Sequence, residues 1–314
     1  MSTDQIRHGL AGFTGKVTSD ESLARFTTYR LGGPAALYLE PADRDDVVEL
    51  GRALSGSDDP PPILVLGRGS NLVISDEGWP GIAVRLSPAF SFVEPAGPGL
   101  RAGGCTALPL LANWAARRGL AGMEFTIAIP GSVGGAVRMN AGAHGSEVKD
   151  RLHSAVIFDL AGGGLAERMV ADLDLSYRHS NLSDSDLVLD ATFELSQEEP
   201  AVVKERMEAY RKHRAQTQPG AVQNAGSVFR NPPGDHAGRL VESAGLKGFR
   251  VGGARVSELH ANFFIAGEGA TAQDVFDLVR EVRKRVTELH GIDLTPEIRF
   301  VGAFRDQSEG MEVV

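Results

Sequence analysis

The stretch from Ile129 to Gly145, IPGSVGGAVRMNAGAHG, constrains this chain more than any other. Gly131, Gly134, Gly135, Gly142 and Gly145 surround one serine, Ser132, and one asparagine, Asn140. Residues without bulky side chains let a backbone turn tightly and come close to a ligand, with N–H groups presented to phosphate oxygens. A bound nucleotide cofactor is the first expectation. The spacing is not the GxGxxG that links strand to helix in the doubly wound dinucleotide folds, so a dinucleotide must be held in another way. A plain run of tight turns accounts for the same glycines.

Composition narrows the partners. A net charge of −9 argues against nucleic acid or an anionic membrane as the main partner. Any anion must then be gathered by a local group of arginines. With 314 residues, 42% of them apolar, a sizeable core can form, in roughly two or three domains of about 100–200 residues. Cys105 is the one cysteine, so no internal disulfide forms, which suits a reducing compartment. It reads as a small buried residue before a reactive thiol. No long apolar run follows Asp4, Arg7 and His8. Neither a signal peptide nor a transmembrane span is expected, and the reading is a soluble cytoplasmic protein.

Along the chain, the first twenty residues lack periodicity and read as a loose arm. From Thr27 to about Leu86, strand and helix alternate: a strand at Ala36–Leu39, a helix capped by Asp43 with Val47, Val48, Leu50 and Leu54, a break at SGSDDPPP, and strands at Ile63–Leu66 and Ile82–Leu86. From about Ser87 to Leu195 come a helix near Leu108–Arg118, the glycine-rich segment, and short strands such as Ala155–Phe158 and Leu187–Phe193. A third region opens at about Gln197. Pro200 starts a helix reaching about Arg214, with Val203, Met207 and Tyr210 on one face. Thr271 and Asp274 form the start signal of the last helix. Val275, Leu278, Val279, Val282, Val286 and Leu289 recur there at helical spacing as a core-facing stripe, and Gly291 ends it. The mixture indicates an α+β fold.

Several segments can carry chemistry. Gly67-Arg68-Gly69-Ser70-Asn71 follows a strand and offers a second anion-holding turn. Two such turns can grip the two phosphates of one pyrophosphate. Thr28-Tyr29-Arg30-Leu31-Gly32-Gly33 places an aromatic ring and a guanidinium beside a turn, suited to covering a flat ring or simply to starting a strand. Arg178, in Ser176-Tyr177-Arg178, can clamp a carboxylate in two-pronged fashion or lie on the surface. Ser227, in Asn224-Ala225-Gly226-Ser227-Val228-Phe229-Arg230-Asn231, is not part of a GxSxG elbow. It can donate a proton if the reaction forms a strong base, or be an ordinary turn serine. Glu297, stiffened by Pro296, can act as acid, base or orienter, or sit on a strand edge. The eight histidines show no paired ligand spacing and one cysteine cannot build a thiolate site, so no metal is expected. Nothing beyond residue type favours a covalent flavin link through His144 or Cys105.

Read in order, these segments resemble the UDP-N-acetylenolpyruvoylglucosamine reductases (MurB). The resemblance is carried by TTYRLGGPA, LGRGSNLVISDEGWPG, MEFTIAIPGSVGGAVRMNAGAHG, SYRHS, NAGSVFRNPPGDHAGRLVESAGLKG, VSELHANF and PEIRFVG, which together cover most of residues 27 to 302. It implies a p-cresol methylhydroxylase-type FAD-binding fold of two α+β subdomains plus a C-terminal α+β substrate-binding domain. On this chain the division is an N-terminal arm 1–24, FAD-binding subdomains 25–87 and 88–196, a substrate-binding domain 197–303 and a tail 304–314.

The resemblance also implies the chemistry. NADPH reduces FAD, and UDP-N-acetylglucosamine enolpyruvate then receives hydride from flavin N5 and a proton, giving UDP-N-acetylmuramate for peptidoglycan. Ser227 matches the family's proton donor, and Arg178 and Glu297 match the other two catalytic positions. Arg178 would stabilise the enolate. Glu297, placed near a carboxylate, would serve if buried and protonated as a hydrogen-bond donor. Tyr29, Gly67, Ser70, Asn71, Gly131, Ser132, Gly134, Gly135, Asn140 and Gly142 match flavin-binding positions. Tyr177, Arg214, Arg230 and Asn231 are the candidates for the UDP-sugar end. Ala266-Gly267-Glu268-Gly269 departs from the asparagine-containing turn usual in the family. No long insertion follows Tyr177, which points to the subtype without an extra substrate-covering loop. No obligate protein partner is evident. Two rivals share the scaffold: a sugar-alcohol oxidase and a non-catalytic nucleotide sensor. The C-terminal motifs speak against the first, and the presence of Arg178, Ser227 and Glu297 against the second.

Overall fold

The computed structural model describes residues 3–55, 60–220, 222–306, 311 and 313. Half of the SGSDDPPP break and much of the 304–314 tail lie outside the described residues. The chain gathers into two compact units. The first is Met1–Ser19, Ala36–Arg68 and Gly81–Arg214; the second is Asp20–Ala35, Gly69–Pro80 and Ala215–Val314.

The first unit is built on a five-stranded antiparallel sheet in the order Gly164–Met169, Leu152–Asp159, Asp186–Glu194, Gly99–Gly103, Val93–Ala96. The central strand Asp186–Glu194 is buried along nearly all its length. A register shift between Val188 and Asp190 breaks the simple alternation of faces. Leu187 and Leu189 therefore enter one core, with Leu37, Leu39, Leu50 and Val84, while Val188, Ala191 and Phe193 enter another, with Leu108, Leu111 and Val133. The helix Arg44–Ser55 starts where expected, since Asp43 Oδ1 accepts from the Asp46 N–H at 3.0 Å.

One expectation for this unit is corrected. The N-terminal residues are not a loose arm. They form the helix Thr3–Gly9 and the strand Lys16–Ser22, with Ile6 and Leu10 packed into the core of the unit and the Thr14 N–H on Asp46 Oδ1 at 2.8 Å. A helix of two turns is too short to leave a periodic signature. The helix Pro200–Thr217 extends past Arg214, and through Arg214 it clusters with the first unit. Val203 and Met207 pack against Ala112, Ala116 and Ile127. Arg206 also forks onto the buried Glu124 carboxylate, at 2.6 and 3.0 Å.

The second unit contains a three-stranded antiparallel sheet, Arg250–Val251, Ala254–Val256 and Phe264–Ala266, and a parallel pair, Leu72–Ile74 with Arg299–Val301. The helix Ala272–His290 supplies much of its core. Its capping box forms as the sequence predicts: Thr271 Oγ1 accepts from the Asp274 N–H, and Asp274 Oδ2 from the Thr271 N–H, both at 3.0 Å. The Asp76 carboxylate takes two further first-turn N–H groups, of Ala272 and Gln273. Gly291 ends the helix at φ 67°, in the left-handed region. Val275, Leu278, Val279, Val282 and Val286 are buried, but Leu289 is 61% exposed, contrary to the stripe. The last turn extends past the core it would have to cover. Among the described residues no helix is long and apolar enough to cross a membrane.

Candidate functional site

In the first unit a cleft with a cavity volume of about 70 Å³ lies between the Leu66–Arg68 turn, the Gly104–Cys105 turn and the glycine-rich segment. Gly67, Ser132, Gly134 and Gly135 line it, so both expected glycine turns meet at one place. Close approach explains the glycines. A Cβ on Gly67 would stand 2.8 Å from Ser132 Oγ, and one on Gly104 would stand 2.0 Å from the Val188 carbonyl. Arg68, Arg85 and Arg138 also line the cleft, with Asp186 as the acidic group. Arg85 is ion-paired with Glu40 at 3.4 Å and Arg138 with Asp184 at 2.5 Å, and the three arginines gather cationic groups at one cleft of a chain of net negative charge. Cys105 lines the cleft too, and burial pushes its thiol pKa up, against the pull of Arg85 and Arg68. A raised pKa describes an unreactive thiol at neutral pH.

The glycine-rich segment holds itself together differently from the expectation of free N–H groups. Ser132 caps the short helix Val133–Arg138, its Oγ accepting from the Gly135 N–H at 3.3 Å. The Val133 N–H donates to Thr106 and the Gly134 N–H to Gly104, both at 2.9 Å, while the Gly131 carbonyl accepts from Leu108. An anion here meets guanidinium groups and the Leu66–Arg68 turn more than these three amides.

Farther along, Asn140 is fully buried at φ 39° and its side chain is spent internally. Nδ2 donates to the Ser176 carbonyl at 2.9 Å and to Glu147 at 3.0 Å; Oδ1 accepts from the Lys149 N–H. The anchored loop is the one that carries Arg178. Ser176 and His179 exchange backbone hydrogen bonds at 3.2 and 3.1 Å, which pinches the loop and puts Arg178 at φ 56°. The Arg178 guanidinium donates to the Gly142 carbonyl at 3.1 Å and lies 4.9 Å from the ring centre of Tyr177, which is itself 43% exposed. Gly142 cannot carry a side chain, since a Cβ would stand 2.7 Å from the Ser146 carbonyl. Next to it, the His144 ring stacks on Tyr210 at 4.0 Å. Burial, His213 and Arg214 hold the His144 pKa below its ordinary value, and burial lowers that of Arg214.

In the second unit the segment Ser227–Phe229 runs between two neighbours. On one side the Glu297 N–H donates to the Val228 carbonyl at 2.7 Å, and Arg230 N–H to Thr295. On the other, Ser227 bridges to Phe263. Asn71 Nδ2 donates to the Glu297 carbonyl at 3.1 Å, and the Arg299 N–H to the Asn71 carbonyl at 2.9 Å. Ser227 and Glu297, both half-buried, thus come from adjacent strand-like segments. The Arg230 Nε is buried with no hydrogen-bond partner, the mark of a group that awaits an acceptor. Asn231 Oδ1 accepts from the Ala237 N–H at 3.0 Å, at the start of the helix Ala237–Ser243, and Ser70 is half-buried in the turn before Leu72.

Tyr29 does not fit its expected place over a flat ring. It is fully buried in the core of the second unit, its hydroxyl on the Phe264 carbonyl at 3.0 Å, and desolvation forces its pKa up. Three cleft residues are not singled out by the sequence: Arg68 is only part of a turn, Arg138 stands unremarked inside the glycine-rich segment, and Arg85 follows the strand Trp79–Val84. Asn262 was also missed, although it lies in the VSELHANF segment. No group of three or more His, Cys, Asp or Glu side chains able to hold a metal occurs among the described residues.

Comparison with known proteins places the chain in a family. Residues 35–167 match the family described as FAD binding domain, and residues 218–301 match UDP-N-acetylenolpyruvoylglucosamine reductase, C-terminal domain. UDP-N-acetylenolpyruvoylglucosamine reductase 2 of Symbiobacterium thermophilum is 43% identical over 290 residues, covering 92% of this chain and 93% of the relative. The Bacillus subtilis reductase is 40% identical over 294 residues, covering 93% and 96%. The crystal structure of the reductase (MurB) from Thermus caldophilus superposes with a TM-score of 0.78 at 36% identity, covering 91% of this chain and 98% of that one. With a site-bearing segment in each matched region and relatives aligned over nearly their whole length, this chain belongs to the UDP-N-acetylenolpyruvoylglucosamine reductase family of FAD-dependent oxidoreductases.

Proposed function

We propose that the protein reduces the carbon–carbon double bond of UDP-N-acetylglucosamine enolpyruvate, using NADPH and FAD, to give UDP-N-acetylmuramate for peptidoglycan in the cytoplasm. The observation that carries the reading is the pairing of Ser227–Phe229 with the Glu297 segment, which sets a hydroxyl beside a carboxyl-bearing residue. The three-domain division, with boundaries near 87, 196 and 303, is proposed from the resemblance to the family; compactness alone places the last internal boundary at 214.

The first-unit cleft suits FAD. Its arginines answer an anionic pyrophosphate, and its glycines leave no Cβ in the way. FAD, when bound, supplies a two-electron hydride donor. The Ser227 hydroxyl gives its proton to the carbanion-like carbon of the substrate. A hydroxyl is a poor acid in water, but this acceptor is a strong base, so the transfer runs downhill. Arg178 stabilises charge developing on the substrate carboxylate, and its anchorage to Gly142 pre-orients the guanidinium. Glu297 acts in protonated form as a donor to that carboxylate. Tyr177, Arg214, Arg230 and Asn231 serve the UDP-sugar end, with the unpartnered Arg230 Nε as the strongest support.

The test is anaerobic. The purified flavoprotein is bleached with NADPH, and the enolpyruvyl substrate is then added. Return of the flavin colour with stoichiometric UDP-N-acetylmuramate is the expected result. Bleaching without reoxidation by the substrate overturns the proposal.

A further inference from the structure

The buried side chain of Asn262 replaces a stretch of β-strand along the segment that carries Ser227. Asn262 is 3% exposed. Its Oδ1 accepts from the Phe229 N–H at 2.9 Å, and its Nδ2 donates to the Phe229 carbonyl at 2.8 Å. Its own backbone carbonyl accepts from the Val228 N–H at 2.8 Å. One residue thus makes three hydrogen bonds to the backbone of two consecutive residues, Val228 and Phe229, immediately after Ser227. The Glu297 N–H, on the Val228 carbonyl, closes the opposite edge. The backbone N–H of Asn262 is fixed in turn by His260 Nδ1 at 3.2 Å, and Phe263 bridges to Ser227.

From this geometry we infer that Asn262 is a positioning residue for Ser227: its amide fixes the backbone from which the hydroxyl is aimed. The inference rests on Ser227 as proton donor. An amide is the side chain that offers an acceptor and a donor to the same residue, as a neighbouring strand does. An aspartate loses the donor, and an alanine leaves a buried N–H and a buried carbonyl unsatisfied. Small displacements of a reacting group are costly to rate, so the effect falls on the step that uses the hydroxyl.

The experiment compares Asn262→Ala and Asn262→Asp with wild type and Ser227→Ala, each as flavin-loaded holoenzyme, by stopped flow of the two half-reactions. In Asn262→Ala, flavin reduction by NADPH is expected within about twofold of wild type, and reoxidation by the enolpyruvyl substrate slowed at least about tenfold. Asn262→Ala/Ser227→Ala should fall no lower than Ser227→Ala alone, since residues acting as a unit are non-additive. Amide hydrogen exchange gives a readout independent of activity: the Val228 and Phe229 amides, protected in wild type, open in the variant. Equal losses in both half-reactions, or additive losses in the double variant, overturn the inference. If Asn262→Ala does not fold, the same split is read in Asn262→Asp. If Ser227→Ala itself reoxidises at wild-type rate, the proton-donor reading fails; if only the Asn262 variants do, this inference fails alone.

Discussion

The side-chain amide of Asn71 donates to the backbone carbonyl of Glu297 at 3.1 Å, joining residues 226 positions apart. Asn71 lies in the turn whose residues match flavin contacts, yet its amide is committed to the segment that carries the candidate carboxyl. Removing it should cost about 1 kcal/mol of stability, the worth of one neutral hydrogen bond. We expect Asn71→Ala to lower the urea midpoint modestly and to lower kcat by more than it raises the dissociation constant for FAD. Chemical denaturation, turnover and flavin titration of the same preparation check this.

Ser227→Ala should stop substrate reduction while NADPH still bleaches the flavin. A hundredfold loss of turnover corresponds to about 2.7 kcal/mol in the barrier. Single-turnover measurement of the two half-reactions separates the steps. Wild-type reduction of the enolpyruvate by this variant would rule out the proton-donor role.

Gly67→Val should strip the protein of flavin. Its Cβ already stands 2.8 Å from Ser132 Oγ at the cleft wall, and the branched side chain adds two methyl groups into the space a ligand needs. The ratio of flavin to protein absorbance after purification should fall several-fold, with little change in the far-ultraviolet dichroism. Retention of a full flavin complement would show that Gly67 does not border the cofactor.

The final helix separates what its sequence said from what it could not. Thr271, Asp274 and Gly291 announce its ends because caps are local chemistry, satisfied within a few residues. The stripe from Val275 to Val286 is legible for the same reason. Leu289 has the right spacing and no core above it, and the extent of the core is a tertiary fact. Val282→Ala should therefore cost about 2 kcal/mol through lost burial and a cavity, while Leu289→Ala should stay within about 0.5 kcal/mol. Equal losses would mean that Leu289 is covered.

The candidate site divides along the same line. Gly67, Ser132, Gly134 and Gly135 were legible as turn residues and meet at one cleft. Arg138 stands in the glycine-rich segment itself, at the end of the helix Val133–Arg138, and Arg85 directly follows the strand Trp79–Val84, but neither has a local signature as a cleft residue. The roles of Ser227, Arg178 and Glu297 came from resemblance, since a lone hydroxyl, guanidinium or carboxyl has no local signature. Tyr29 misled because an aromatic beside a glycine turn looks the same whether it faces a ligand or a core, and here it fills the core.

Stability should fall as pH drops below the ordinary histidine range, and His260 is one cause. Its ring packs 4.8 Å from that of Phe263, its Cε1 would lie 3.3 Å from a Cβ on Gly238, and its Nδ1 must be unprotonated to accept the Asn262 N–H. Desolvation lowers its pKa in the folded protein, with Lys247 acting in the same direction and Glu242 against it. The unfolded chain, at the ordinary histidine value of about 6.5, therefore binds more protons than the folded one just below that pH. The neutral ring's contribution is complete above about pH 6.5 and is lost as pH falls through that value toward the lower folded pKa. His144, also depressed, adds to the same window, whereas the lowered carboxyls of Asp159 and Asp293 act only at more acid pH. The urea midpoint of wild type should drop as pH falls below about 6.5, and the drop should shrink in His260→Phe, which keeps the ring contact with Phe263 and removes the proton. An undiminished slope in that variant would assign the acid sensitivity elsewhere.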